Sequence, residues 1–221
     1  MDLKIPRARR PVMTGRRQAI VGMASCALVG VLPGCGVLQN VNKPVNLYTL
    51  TPKTTFPEGL PKVDWQLVVE TPVSAASLDT SRIALQRTAL TFEYYAEAAW
   101  TDNAPAMVQT MLIESFETSG SIRGVGRDAI TLRADYLLMT DLRAFQAVYD
   151  GANPVPTVWI RLNAKLVKIP ERRIVASQTF ERKMAAPSGK LVDVVNTFDE
   201  TLGKLLKEIV IFTLAAPSAP S

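Results

Sequence analysis

The stretch that decides the fold is Thr157–Ile169, which reads TVWIRLNAKLVKI. Apolar side chains fall on one side of it, at Val158, Ile160, Leu162, Ala164 and Leu166. Polar side chains fall on the other side, at Arg161, Asn163 and Lys165. Because successive side chains of a strand point to opposite faces, this period of two residues predicts a β-strand with one face on the core and the other in water.

Two further strands flank this one. Tyr136–Val148 precedes it, and Asp150–Pro154 has the residue types of a turn between the two. Pro170–Arg173 makes a short connection into a third strand, Ile174–Met184. Because short connections join strands that run in opposite directions, we expect an antiparallel meander with one face against a helix layer.

Two segments have the period of an amphipathic helix. The first begins at Asp102–Pro105, where a capping side chain is followed by an early proline, and it ends at Ser119–Gly120. The second follows Ser188–Gly189 and has a continuous apolar stripe over 191–212. A stripe of this width is typical of a helix packed on a sheet, and a partner-binding helix is the alternative.

Shorter strands precede the first helix. Trp65–Glu70 is a predicted strand, and Asn46–Thr51 is either a short strand or a segment packed on the domain surface. Arg82–Gln86 and Leu90–Tyr95 form the two arms of a predicted hairpin around Arg87-Thr88. Together these elements predict the α/β class, as an α+β-like sandwich of two or three layers. We expect a mixed, largely antiparallel sheet of about five to six strands with two main helices packed on it. Residues 62–214 would form this single globular domain, and 215–221 a disordered tail.

The N-terminus has the layout of a bacterial secretory signal. Arg16 and Arg17 precede an uncharged run whose apolar part, Ala19–Leu32, is 14 residues long, and a helix needs about 20 to span a bilayer. The run ends in Leu32-Pro33-Gly34-Cys35, which resembles the lipobox of bacterial lipoproteins. We therefore predict a signal peptide over 1–34 and acylation of Cys35. Asn, Pro and Thr are frequent over 36–61, so 35–61 would be a lipidated N-terminus and an extended tether.

Several alternatives stay open at this end of the chain. Cys26 follows Met23-Ala24-Ser25 and offers a second lipobox, but it leaves only Ala19–Gly22 as an apolar lead-in. An uncleaved N-terminal anchor and a buried pair of cysteines are the other interpretations. The arginine pair leaves both Sec and twin-arginine export open, and Met13 competes with Met1 as the start.

The basic excess of the chain belongs to the signal segment. The totals are 25 basic and 20 acidic residues, of which residues 1–34 hold six and one, so 19 of each remain in the mature chain. A nearly neutral domain gives no indication of a nucleic-acid binder.

The composition also restricts the chemistry. The chain has no histidine, which removes Ser-His-Asp and Cys-His arrangements and most zinc sites. Carboxylates such as Asp135, Asp141, Glu93 and Glu97 have no partner at a spacing that forces a shared site. We therefore predict no enzyme, no metal site and no cofactor.

Several short motifs follow one another between Cys35 and about Leu214. They are Leu47–Leu50, Leu78–Ala84, Tyr94-Tyr95 with Trp100, Asp102 and Pro105, and Ala134–Leu138 with its strand to Phe145. In this order they resemble the ABC-type transport auxiliary lipoprotein family, in particular the PqiC-like group found beside MCE-domain lipid transporters.

The resemblance implies a lipid-anchored accessory subunit without an enzymatic site, with acyl chains such as palmitate on Cys35. Its implied partners are an MCE-domain protein, an ABC permease and an ATPase, which move phospholipid or another hydrophobic molecule, and a homo-oligomer is compatible with it. Gly36, not Asp, follows Cys35, so the usual inner-membrane retention signal is missing. We therefore expect the periplasmic face of the outer membrane of a Gram-negative bacterium.

We expect the partner to contact exposed sheet or loop surface, and we predict Tyr48, Trp100, Gly151 and Asn153 as elements of that surface. The alternative function is a periplasmic lipid-binding carrier with its own apolar cavity between the helices and the sheet.

Overall fold

The computed structural model describes residues 44–127, 133–151 and 153–216. Nine strands and two helices lie in these ranges. The strands are β1 Asn46–Tyr48, β2 Val63–Val69, β3 Val73–Ser74, β4 Arg82–Gln86, β5 Glu93–Trp100, β6 Ile122–Gly126, β7 Tyr136–Val148, β8 Thr157–Lys168 and β9 Arg173–Ala185. The helices are α1 Ala104–Ser119 and α2 Leu191–Ala215.

β7 is the central strand of the sheet. β8 pairs with it in antiparallel fashion along its length, and β9 pairs with β8 in the same way. Three short strands share the other edge of β7, all parallel to it: β2 beside Tyr136–Leu138, β3 beside Asp141–Leu142 and β4 beside Gln146–Val148. β6 continues the sheet beyond β2, and β5 and then β1 continue it beyond β4.

The core lies between the helices and one face of this sheet. The five apolar side chains that alternate along β8 are fully buried, as the period of two predicted: Val158, Ile160, Leu162, Ala164 and Leu166. From α2, Phe198, Leu202 and Leu205 are fully buried in the same cluster. Burial of one such large side chain stabilises the fold by about 1.5–3 kcal/mol, so this layer holds the sandwich together.

Both helices begin and end close to the residues that the sequence predicted, but not every predicted capping contact is present. α1 has Pro105 in its first turn and ends at Gly120, whose φ of 59° is left-handed. The side chain of Asn103 at the N-cap position makes no capping hydrogen bond, and its Nδ2 donates to Oδ1 of Asp79 at 3.2 Å. Before α2, the hydroxyl of Ser188 accepts a hydrogen bond from the N–H of Lys190 at 3.1 Å.

The chain from Pro44 to Pro61 lies along the domain, which corrects the predicted tether for this part. The N–H of Thr51 donates to Oδ1 of Asp199 on α2 at 2.6 Å, and its hydroxyl lies 2.9 Å from both carboxylate oxygens. The N–H of Lys53 donates to Oγ of Ser115 on α1 at 2.9 Å. Leu50 is only 2% exposed. This segment is therefore part of the folded domain.

The α/β class is confirmed, with two helices on one large mixed sheet. The sheet has nine strands where the sequence predicted about five to six, and β1, β3 and β6 have only three, two and five residues. The meander and the β4–β5 hairpin are antiparallel as expected. Parallel pairings join the remaining strands, because β1, β2, β3 and β4 reach their partners through crossovers that local patterns do not reveal.

Candidate functional site

Cys35 lies outside the described residues, so its acylation stays a prediction. Tyr48 ends β1 and is paired with Trp100 of β5, where the N–H of Thr101 donates to the carbonyl of Tyr48 at 2.9 Å. The Tyr48 side chain is half-buried and packs against the core. It therefore has one side available at the edge of the sheet.

Trp100 is not a surface residue, which corrects its predicted role. Its side chain is 1% exposed and packs against two other rings, with centroids 5.3 Å from Phe198 and 5.8 Å from Phe145. These three aromatic residues come from β5, β7 and α2, so they join the sheet to the second helix. The contribution of Trp100 is to the core.

Gly151 and Asn153 are exposed in the turn between β7 and β8, as predicted. Gly151 has a φ of 55°, a conformation that suits glycine. The N–H of Asn153 donates to the carbonyl of Asp150 at 3.1 Å, and its Oδ1 accepts from the N–H of Val155 at 3.0 Å. Within the described part of the chain, no hydrogen bond or ring contact joins this turn to Tyr48.

A second loop, the connection of the predicted β4–β5 hairpin, lies at the same end of the sheet, and sequence reasoning gave it no functional role. β4 and β7 are parallel, and the N–H of Tyr149 donates to the carbonyl of Gln86 at 2.8 Å, so residues 87–92 leave the sheet beside the Gly151 turn. Leu90 in this loop is 96% exposed. The hydroxyls of Thr88 and Thr91 lie 2.9 Å apart and fix the loop beneath it. We call residues 87–92 and 149–156 together the loop end.

A pair of tyrosines supports the loop end. The hydroxyls of Tyr95 and Tyr149 are 2.8 Å apart, and the guanidinium of Arg87 lies 4.9 Å from the centre of the Tyr149 ring. Burial, followed by the hydrogen bond with Tyr149, raises the pKa of Tyr95 far above its ordinary value. The Tyr95 phenol therefore keeps its proton, and its hydrogen bond with Tyr149 links β5 to the residue that follows β7.

The face of the sheet opposite the helices holds a groove of about 1150 Å³. Along its floor, Val68, Leu137, Val167 and Ile174 are successive partners on β2, β7, β8 and β9. We call these four residues the apolar row. Ile174 is 54% exposed although it is a large apolar side chain. Further along the same face the partners are polar, as at Asp141, Asn163 and Thr179, so the row interrupts an otherwise solvated surface.

Three arginines stand around the groove: Arg127 after β6, Arg133 before β7, and Arg172 in the β8–β9 turn. Nη2 of Arg127 donates to the hydroxyl of Thr110 at 2.6 Å. Glu70 is the one acidic residue in the described lining. Across the described ranges, none of these arginines has a carboxylate within ion-pair distance. The groove is therefore apolar at its floor and positive at its margin.

The described residues contain no group of three or more Cys, Asp or Glu side chains that could hold a metal ion. Neither helix of the described chain combines the length and apolar character that a membrane crossing requires.

The fold and these surfaces define an α/β domain that presents a loop end and a groove on a single mixed sheet. A family model described as the ABC-type transport auxiliary lipoprotein component matches residues 48–210, and the chain belongs to this family. The family is one of transport auxiliary lipoproteins and not of enzymes. The family description is that of a lipoprotein, which implies a membrane-anchored location in the cell envelope.

The chain is also similar to known proteins in sequence and in fold. The chain is similar to protein XCC0632 from Xanthomonas campestris, with 32% identity, a TM-score of 0.74, and coverage of 79% of this chain and 97% of that one. A solved uncharacterised protein shares the fold, with 14% identity, a TM-score of 0.60, and coverage of 76% and 97%. An uncharacterised protein of Bradyrhizobium diazoefficiens is 27% identical over 86% of this chain, and the chain spans about half (51%) of the length of that curated relative.

Proposed function

We propose that this protein is the accessory lipoprotein subunit of an MCE-type ABC transport system that moves phospholipid or another hydrophobic substrate across the cell envelope. The observation that carries the proposal is membership of the auxiliary lipoprotein family over residues 48–210. Acyl chains on Cys35 would hold the chain at the periplasmic face of the outer membrane. An MCE-domain protein, a permease and an ATPase would be its partners, with ATP hydrolysis in the ATPase.

The docked N-terminal segment supports a role close to the membrane. If Cys35 carries the acyl chains, residues 36–43 are the only link to the folded segment that begins at Pro44, and eight residues reach at most about 29 Å. If 44–61 were free as well, the link would reach roughly 90 Å. With Cys35 acylated, the contacts of Thr51 and Lys53 with the helices would keep the domain near the anchoring membrane, which supports a partner located there.

The loop end supports a partner-binding role. Leu90 is an almost fully exposed apolar side chain on a loop fixed by hydrogen bonds, and Gly151 and Asn153 lie beside it. A rigid apolar side chain that enters a partner's pocket is a usual centre of binding energy in protein interfaces. Tyr48 is at the edge of the sheet and would contribute separately.

The alternative function, a carrier with a cavity between helices and sheet, has less support. In the described residues that layer is filled by buried side chains such as Leu162, Phe198 and Leu205. The groove of about 1150 Å³ lies on the opposite face. We therefore prefer the accessory subunit.

Metabolic labelling with a palmitate analogue tests the anchor. We expect label on the native chain, loss of label in Cys35→Ala, and unchanged label in the matched variant Cys26→Ala. Label that persists in Cys35→Ala, or disappears only in Cys26→Ala, would contradict the proposed anchor.

Site-specific photo-crosslinking in intact cells tests the partner. A photoreactive residue at Leu90 or Asn153 should give cross-links to an MCE-domain protein or permease. The same residue at Val192, which is 56% exposed on α2, should not. The docking role fails if no transporter component is recovered from the loop-end positions, or if Val192 gives the same products.

A further inference from the structure

The groove on the open face has a composition that a solvated sheet does not need. Four successive strands each place one apolar side chain in the same row, from Val68 through Leu137 and Val167 to Ile174. With strands about 4.8 Å apart, the row is about 14 Å long. Met139, which also lines the groove, is 39% exposed beside it. Within the row Ile174 is exposed and Leu137 is partly exposed, whereas Val68 and Val167 are buried, at 2% and 6% exposure, at the bottom of the groove. An apolar strip that lines a groove in this way is typical of a binding site.

The charge around the groove selects the kind of ligand. Among the groove-lining residues that the structure describes, Arg127, Arg133 and Arg172 give three positive charges against the single carboxylate of Glu70. Arg127 is anchored by the hydroxyl of Thr110, and a guanidinium has further N–H groups that can donate in a second direction. Arginine donates two parallel hydrogen bonds to phosphate or carboxylate, and it does so best where water is partly excluded. An acidic group is therefore the complement of this margin.

We propose that the groove binds one anionic amphiphile, with its alkyl chain along the apolar row and its phosphate or carboxylate at the arginines. Each half of such a ligand matches one half of the site. An inorganic anion would leave the row in water, and an uncharged amphiphile would leave the arginines without a partner. A second copy of this chain is disfavoured, because a two-fold contact through the groove would bring like charges together.

This binding site goes beyond the accessory role, which is carried by the family and tested at the loop end. The groove and the loop end lie at opposite ends of β7, because Leu137 is near the start of that strand and Tyr149 follows its end. Loss of ligand binding would leave the cross-links at Leu90 in place. Loss of those cross-links would leave the groove occupied.

The test uses the full chain in nanodiscs of a zwitterionic lipid, with a dodecyl phosphate that bears a photoreactive diazirine. We expect labelled peptides that contain Leu137 or Ile174. Unlabelled dodecyl phosphate should suppress this labelling, and inorganic phosphate should not. Dodecyl maltoside should need a concentration about tenfold higher or more, because it cannot use the charge-assisted bonds. Added salt should weaken labelling, since the arginines are at the margin of the groove.

Two groove variants and two matched controls locate the effect. Arg133→Ser with Arg172→Asn should lower labelling by dodecyl phosphate about tenfold without changing competition by dodecyl maltoside, and asparagine suits the positive φ of residue 172. Ile174→Glu should abolish labelling, and Ile174→Ser serves if the first variant does not fold. Arg87→Asn and Leu90→Glu make similar changes at the loop end and should label like the native chain.

Three results would overturn the proposal. The first is equal suppression by inorganic phosphate and by dodecyl phosphate, which would indicate a simple anion site. The second is equal competition by dodecyl maltoside, which would indicate that charge has no part. The third is an equal loss of labelling in the loop-end controls, which would place the label elsewhere on the protein.

Discussion

The contact between Thr51 and Asp199 should decide how firmly the N-terminal segment is held. Asp199→Ala removes the acceptor of the Thr51 N–H and of the Thr51 hydroxyl. Hydrogen bonds to a charged group contribute about 1.5–3 kcal/mol, and solvent exposure brings the value here to the low end. We expect a local loss of about 1.5 kcal/mol, which corresponds to roughly tenfold faster exchange of the Thr51 amide hydrogen.

Hydrogen exchange followed by NMR or mass spectrometry measures this directly, because the Thr51 amide is itself the donor. The Lys53 amide, which donates to Ser115, should be affected less. Leu50 remains buried, so the segment should open more often without being released. The unfolded chain lacks the Thr51–Asp199 contact as well, so the free energy of global unfolding in denaturant should fall by a similar amount, up to about 1.5 kcal/mol.

Glu200→Ala is the matched control. Glu200 is adjacent, exposed, and paired with Lys204 one helical turn away at 2.8 Å, a contact that contributes about 0.5 kcal/mol or less. If Asp199→Ala leaves Thr51 exchange unchanged, or if Glu200→Ala accelerates it equally, the reasoning about the docked segment is refuted.

Three further outcomes follow from packing and protonation. Gly189→Ala should lower the free energy of unfolding in urea by about 1–3 kcal/mol, because the new Cβ would lie 2.5 Å from the carbonyl oxygen of Pro154. Gly203→Ala inside α2, where the nearest atom is 3.9 Å away, should raise it by about 0.5–1 kcal/mol. Equal effects of the two variants would contradict the close approach at Gly189. Trp100→Ala should lower the free energy of unfolding by about 3–5 kcal/mol. Trp100→Phe should lower it clearly less, since the indole N–H has no hydrogen-bond partner in the described structure. An alanine variant as stable as the native chain would contradict the burial of Trp100. Burial and the hydrogen bond with Tyr149 raise the pKa of Tyr95, so on raising the pH this phenol loses its proton in the unfolded chain before it does so in the folded one. The free energy of unfolding should therefore fall above about pH 10, and Tyr95→Phe should make this fall smaller. The same pH dependence in both proteins would exclude the effect.

The long strands and helices were predictable because each has a clear local period. β7 was predicted at its observed bounds, and β8 and α2 differ from prediction only at their ends. Packing of Asn46–Thr51 on the domain was one of two alternatives that the sequence left open. The partner was not predictable, because Thr51 and Asp199 are 148 residues apart and neither belongs to a local motif. The prediction of Trp100 as a surface residue is wrong, and its burial could not be read from local sequence because the rings that enclose it come from β7 and α2.

The groove was not predictable from the sequence either, because it is assembled from side chains of four different strands. Each strand contributes only one side chain to the apolar row, so the alternation of each strand is interrupted at only one place. The signal that could have found it is the apolar doublet, as in Leu137-Leu138 and Leu166-Val167, because two adjacent apolar residues make both faces of a strand apolar. Which doublets meet depends on the register of four strands, and that is set by the crossovers.

The position of β7 also determines when the domain can form during synthesis. Before Tyr136 is made, the available pairings leave two separate groups, β1 with β5 and β4, and β2 with β6. Only β7 joins them, and β8 then closes its other edge. A nascent chain that ends before Tyr136 therefore has exposed strand edges and no completed core, so it is most vulnerable to proteases and to aggregation at that stage.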